Sequence, residues 1–185
     1  MSSLTSKVVN LALYQAGWFC CVLGAAWGAP FAGSLAAVLL VAVHLFLAET
    51  WQTELRLMLA ACLLGVLVDS VQQTLGVFTF RASPDWPLWL PPWVFVIWAQ
   101  FATLFRFALY WLSGRYLLGA VLGMVGGPLA YWTGIRLEAA RFGDMPGFSI
   151  VSLAVVWALV TPLLVWLSDR QGGGEGRYRW FGADR

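Results

Sequence analysis

Charge is what this sequence has least of. Only 11% of its 185 residues are Asp, Glu, Lys or Arg, against about a quarter in a typical soluble domain. Such a chain cannot be wetted all round. The net charge of +2 is too small a surplus to leave a basic footprint for nucleic acid. Histidine is almost absent, with His44 its one representative. The three cysteines, Cys20, Cys21 and Cys62, form no CxxC and no Cys/His cluster. Neither a disulfide scaffold nor a zinc site is therefore expected, and no metal or other cofactor is implied. No nucleophile–base pair, paired-carboxylate motif or ATP-binding loop stands out at short spacing.

What fills the chain instead is apolar: 61% hydrophobic residues, including 12 Trp and 12 Phe. Six stretches, Val8–Ala26, Phe31–Ala48, Leu55–Leu75, Trp93–Leu112, Tyr116–Leu137 and Phe148–Ser168, come close to the roughly 20 residues that cross about 30 Å of hydrocarbon as a helix. The breaks "WGAP", "ETWQTE", "RASPDWPLWLPP", "SGR" and "EAARFGDMPG" carry turn or charge signals. No period-two alternation suggests a barrel. The fold class expected is all-α: one polytopic domain over residues 1–168, a bundle of six transmembrane helices, followed by a flexible cytoplasmic tail over 169–185. The first stretch, with Asn10 and Gln15 inside it, is a poor secretory leader and reads as a retained helix.

An even number of spans puts both termini on one side. That side would carry Lys7, Arg56, Arg115, Arg170, Arg177, Arg179 and Arg185, the other Arg81, Arg136 and Arg141. The positive-inside rule then places both termini in the cytoplasm. Trp27, Trp86, Trp89, Trp93 and Trp132 fall at the outer boundary and Trp51, Trp111 and Trp166 at the inner one, as interfacial belts would.

Polar residues inside the spans are the candidates for function, because a charge in hydrocarbon is costly and usually faces a cavity or a partner. Arg106, in "ATLFRFALYWL", lies nine residues before Arg115, about 10 Å inside the cytoplasmic boundary. Gln15, His44 and Thr161 come to a similar level, with Asn10 and Tyr14 just below. Thr103 and Tyr110 would flank Arg106 on one helical face. Asp69 belongs to an outer layer with Gln72, Gln73 and Gln100. It is about 10 Å in depth from Arg106 if the helices are untilted, which favours water or a headgroup between them over a direct bridge. The candidate ligand-binding set is Asn10, Gln15, His44, Asp69, Gln100, Arg106 and Arg136. His44, Asp69 and Arg106 are the candidates for any catalytic role, His44 as proton carrier and Arg106 as holder of an anionic headgroup. The plainer alternative for Gln15, Gln100 and His44 is interhelical hydrogen bonding.

The fifth stretch contains Gly119, Gly123, Gly126 and Gly127, a spacing that lets helices approach closely. The first stretch offers Gly17, Cys21, Gly24 and Gly28 as a facing stripe. Pro128 should kink the fifth helix and leave the Met124 carbonyl without its donor.

The segments "NLALYQAGWFCCVLGAA", "GVLVDS", "PLWL…FATL" and "GGPLAYWTGIRL" resemble a family of small bacterial inner-membrane proteins known as a domain of unknown function, DUF2878. The most specific parts are the Asn10/Gln15/Trp18 spacing, Asp69 and Gly126–Gly127–Pro128. The resemblance runs from Asn10 to Leu167. Members of that family are often encoded near cyclopropane-fatty-acid-synthase-like genes, so it implies a lipid-related role in the bacterial inner membrane, with no activity to carry over. The expected function is therefore binding of a lipid or small amphiphile in an intramembrane polar cavity, with membrane lipids as partners. A substrate-capturing transporter subunit is the alternative. A non-catalytic accessory subunit that packs on a membrane-protein partner or a second copy is another.

Overall fold

The computed structural model describes residues 3–81 and 88–171. The expected tail beyond Gln171, Trp86 and the prolines beside it lie outside the described residues. Among the described residues the fold is all-α apart from one short ribbon. Its six helices are α1 (Ser3–Ala26), α2 (Pro30–Leu47), α3 (Trp51–Thr74), α4 (Pro92–Phe105), α5 (Tyr116–Arg136) and α6 (Pro146–Gln171). Proline opens α2, α4 and α6, where its missing N–H is no loss and its fixed φ already suits a helix. Four helices, α1, α2, α5 and α6, are long and apolar enough to cross a membrane.

The helices are built inside out relative to a soluble bundle. In α3, Leu55, Leu59, Leu63, Leu67 and Val71 form an exposed stripe at four-residue spacing. The opposite face buries Glu54, Asp69 and Gln72 together with Leu57, Met58, Ala61 and Gly65. Apolar side chains outward and ionisable ones inward is the arrangement hydrocarbon surroundings select. It gives α3 an exposed apolar face that its charge content would not suggest.

The helix α4 sits centrally, packed on α1, α2, α3 and α6, while α5 packs mainly along α6. The glycines of α5 serve that contact. A Cβ at Gly123 or Gly127 would collide with Trp157 of α6, so both glycines permit the close approach. The stripe on α1 does not face α5, as the sequence suggested. Gly24 meets Gly33 of α2, and Gly17 meets Gln100 of α4, because α1 is paired with α2 and α4. The chain stays helical through Pro128.

Two features were absent from the sequence reading. The first is a two-stranded antiparallel ribbon, β1 (Phe78–Phe80) with β2 (Ala140–Phe142), pairing Phe78 with Phe142 and Phe80 with Ala140. The helices that precede these strands end alike. Leu75 N–H bonds Val71 O and Val77 N–H bonds Gln72 O, while Leu137 N–H bonds Thr133 O and Ala139 N–H bonds Gly134 O. Gly76 and Glu138 each adopt a φ of 67° at the turn. Along the chain, Gly65, Asp69 and Gly76 have the same spacing as Gly127, Tyr131 and Glu138. The units α3–β1 and α5–β2 are thus local repeats, facing each other across the ribbon.

The second is the early end of α4. The sequence reads as one helix to Leu112, but the helix stops at Phe105. Arg106 is its C-cap, and a separate 3-10 turn covers Tyr110–Leu112. Tyr110 is therefore not one helical turn above Arg106. No proline or glycine stands between Pro92 and Gly114 to signal the break. Contacts from other helices cause it, as the site shows.

Candidate functional site

The polar residues sort into two separate places. At the first, Asn10 of α1 is fully buried against the end of α4. Its amide oxygen accepts the Ala108 N–H at 3.2 Å. Its amide nitrogen donates to Thr103 Oγ1 at 3.1 Å and lies 3.4 Å from the Thr103 carbonyl. The Asn10 side chain thus stands in for a peptide group on both sides of the break, satisfying backbone groups the helix end would otherwise leave bare. The same nitrogen lies 3.5 Å from His44 Nδ1. The other ring nitrogen, Nε2, lies 3.3 Å from Glu54 Oε2.

Glu54 is the centre of this cluster. Its other oxygen accepts from Arg106 Nε, and Arg106 Nη2 donates to Thr50 Oγ1 at 3.0 Å. Glu54, Arg106 and His44 are all 2% exposed or less. The arginine that looked costly is thus matched by a carboxylate, which charge burial requires. The pairing partner of Arg106 is Glu54 and not Asp69.

The second place centres on Asp69. Tyr131 of α5 donates its hydroxyl to Oδ1 at 2.5 Å, and Trp98 of α4 donates its indole N–H to Oδ2 at 2.8 Å. Asp69 and Tyr131 are the equivalent positions of the two local repeats, so the repeats meet through this bond. Beside it Trp98 and Trp157 stack with ring centroids 5.2 Å apart and planes 12° from parallel. Gly65 makes room for the Trp98 ring and Gly127 for the Trp157 ring.

A cavity of about 400 Å³ opens from Asp69. Its walls are Trp18, Trp93, Trp98, Phe101, Tyr131 and Trp157, continued by small residues of α5. The α5 lining, Leu122, Gly123, Gly126, Gly127, Ala130, Tyr131 and Gly134, repeats with helical period over twelve steps, or about 18 Å. A Cβ at Gly126 or Gly134 would meet nothing within 4 Å, so these two glycines shape the hollow. Leu122, Gly126 and Trp111 line the cavity and are also exposed, so it reaches the outer surface of the bundle beside α5. Thr161 contributes a buried hydroxyl with no hydrogen-bond partner.

The other sequence candidates have separate positions. Gln15 lies on the exposed face of α1. Arg136 is exposed, its guanidinium 5.8 Å from the Trp132 ring. Gln100 is buried beside Cys21, with a weak 3.9 Å contact to the sulfur. Gln72 accepts from Ser152 at 2.9 Å and Gln73 accepts from the Phe80 N–H at 3.2 Å. Both therefore tie α3 to its surroundings. Asn10, His44 and Arg106 come together, but none of them lines the cavity. Where the sequence suggested one polar cavity, there is a packed polar cluster and a separate aromatic cavity with a single acid.

Among the described residues, no group of three or more His, Cys, Asp or Glu could hold a metal ion.

An all-α bundle with ionisable groups inside, apolar side chains outside and a hollow between its helices defines the class. The chain belongs to the family described as proteins of unknown function (DUF2878), whose model matches residues 7–163. No curated protein matches it, and no solved structure does.

Proposed function

We propose that the protein spans the bacterial inner membrane with both termini in the cytoplasm and takes a lipid or small amphiphile from the bilayer into the aromatic cavity, in the service of lipid modification or transport. The observation that carries this reading is the cavity itself. About 400 Å³ is within the range of small-molecule sites, which are mostly apolar with a few placed polar groups. Its mouth beside Gly126 opens among outward apolar side chains, where a ligand already dissolved in hydrocarbon would enter. The Glu54–Arg106–His44 cluster contributes by fixing the α4 end, and with it the floor of the bundle.

Gly126→Leu tests the reading, because a Cβ at this cavity-lining position meets nothing within 4 Å and the larger side chain takes up space in the hollow. Lipid extracted from the gently purified variant and quantified by mass spectrometry should fall at least tenfold in any species bound one-to-one, with the melting temperature unchanged. Equal retention by wild type and variant would refute cavity binding.

A further inference from the structure

The chemistry of the cavity narrows what it would accept. Asp69 is completely buried. Glu54 is paired with Arg106 and meets His44, whereas no ion pair is formed by Asp69 among the described residues. Its two neighbours, Tyr131 and Trp98, are neutral donors, one to each carboxylate oxygen. A carboxylate oxygen has a second acceptor site, and Asp69 is among the residues that line the cavity, but it has no exposed surface of its own, so a ligand seated there displaces the Tyr131 or Trp98 side chain. The remaining surroundings are aromatic faces, which attract cations through their quadrupoles. The unpartnered Thr161 hydroxyl, 4% exposed, adds a second polar point to the lining, on α6 beside Gly123.

We infer that the cavity selects amine-bearing amphiphiles, the ammonium group seated at Asp69 and the hydrocarbon body along α5 toward Gly126. This rests on the reading of the cavity as a ligand site and adds the class of headgroup. An organic cation would supply the counter-charge that Asp69 lacks and donate to its carboxylate oxygens. An alcohol could donate but not neutralise. A carboxylate ligand would face a like charge in a medium that screens poorly.

Three probes with one chain length separate the terms: dodecylamine, 1-dodecanol and dodecanoate, each titrated against the full chain in phosphatidylcholine nanodiscs, with one-to-one complexes counted by native mass spectrometry. Dodecylamine should bind wild type at least tenfold more tightly than 1-dodecanol, and dodecanoate more weakly still. Asp69→Asn should remove the preference for the amine, bringing dodecylamine and 1-dodecanol to within about twofold of each other. Should that variant not fold, the ranking on the wild-type chain decides. If all three bind wild type equally, the amine inference fails and the cavity reading stands. If none forms a one-to-one complex, the cavity reading fails as well.

Discussion

Replacing Glu54 with alanine should destabilise the protein by about 3–5 kcal/mol, the penalty typical of stranding one partner of a buried ion pair. The reason lies in what Glu54 joins. Its carboxylate meets Arg106 at the end of α4, His44 from α2 and, through Arg106, Thr50 at the start of α3. Without it the guanidinium, 2% exposed, loses the carboxylate that accepts from its Nε. The double variant Glu54→Leu/Arg106→Met should recover most of the loss, since replacing both members of a buried pair by apolar groups is often neutral or better. Thermal melting of the purified single and double variants checks this. A double variant as unstable as Glu54→Ala would show that the charge pair is not what the single change disrupts.

The second large effect is expected at Gly127→Ala. One methyl group there would run into the Trp157 ring, and overfilling a packed contact costs about 1–3 kcal/mol. The neighbour Gly126→Ala, whose methyl would meet nothing, should be within about 0.5 kcal/mol of wild type. Two adjacent glycines of one helix would thus differ in response, one losing stability because it sets the α5–α6 distance and the other nearly neutral because it bounds the hollow. Parallel denaturation of both variants in mixed micelles measures the contrast. Equal losses would mean that α5 does not have its Gly127 face on α6.

The contrast at these glycines also marks what sequence could and could not reveal. Apolar runs of span length located all six helices, because burial in hydrocarbon demands length and composition together. The end of α4 was invisible, since "FRFALYWL" favours continuing the helix. It is Asn10, nearly a hundred residues earlier, whose amide accepts the Ala108 N–H and bonds Thr103. Glu54 was overlooked in the polar break "ETWQTE", although a signal existed. The spacing Glu54–Met58–Ala61–Gly65–Asp69–Gln72 follows one helical face, and that face is the buried one. The α3–β1 and α5–β2 resemblance is carried by backbone geometry. At its key position it sets an aspartate against a tyrosine, complementary as acceptor and donor but unalike as letters. Gln15 and Arg136 were expected in the ligand-binding set, but a position along the chain does not determine which way a helix turns a side chain. That is why both could point outward while Asn10 and Arg106 point in.

Photo-crosslinking tests the central claim most directly. Bilayers doped with a phospholipid carrying a diazirine in its acyl chain would be irradiated around the reconstituted protein and the adducts mapped by mass spectrometry. Binding inside the bundle predicts adducts on Trp98, Phe101 and Trp157, which are buried or half-buried around the cavity, and their loss in Gly126→Leu. Adducts confined to outward residues such as Leu63, Val151 and Leu159, unchanged in that variant, would contradict it.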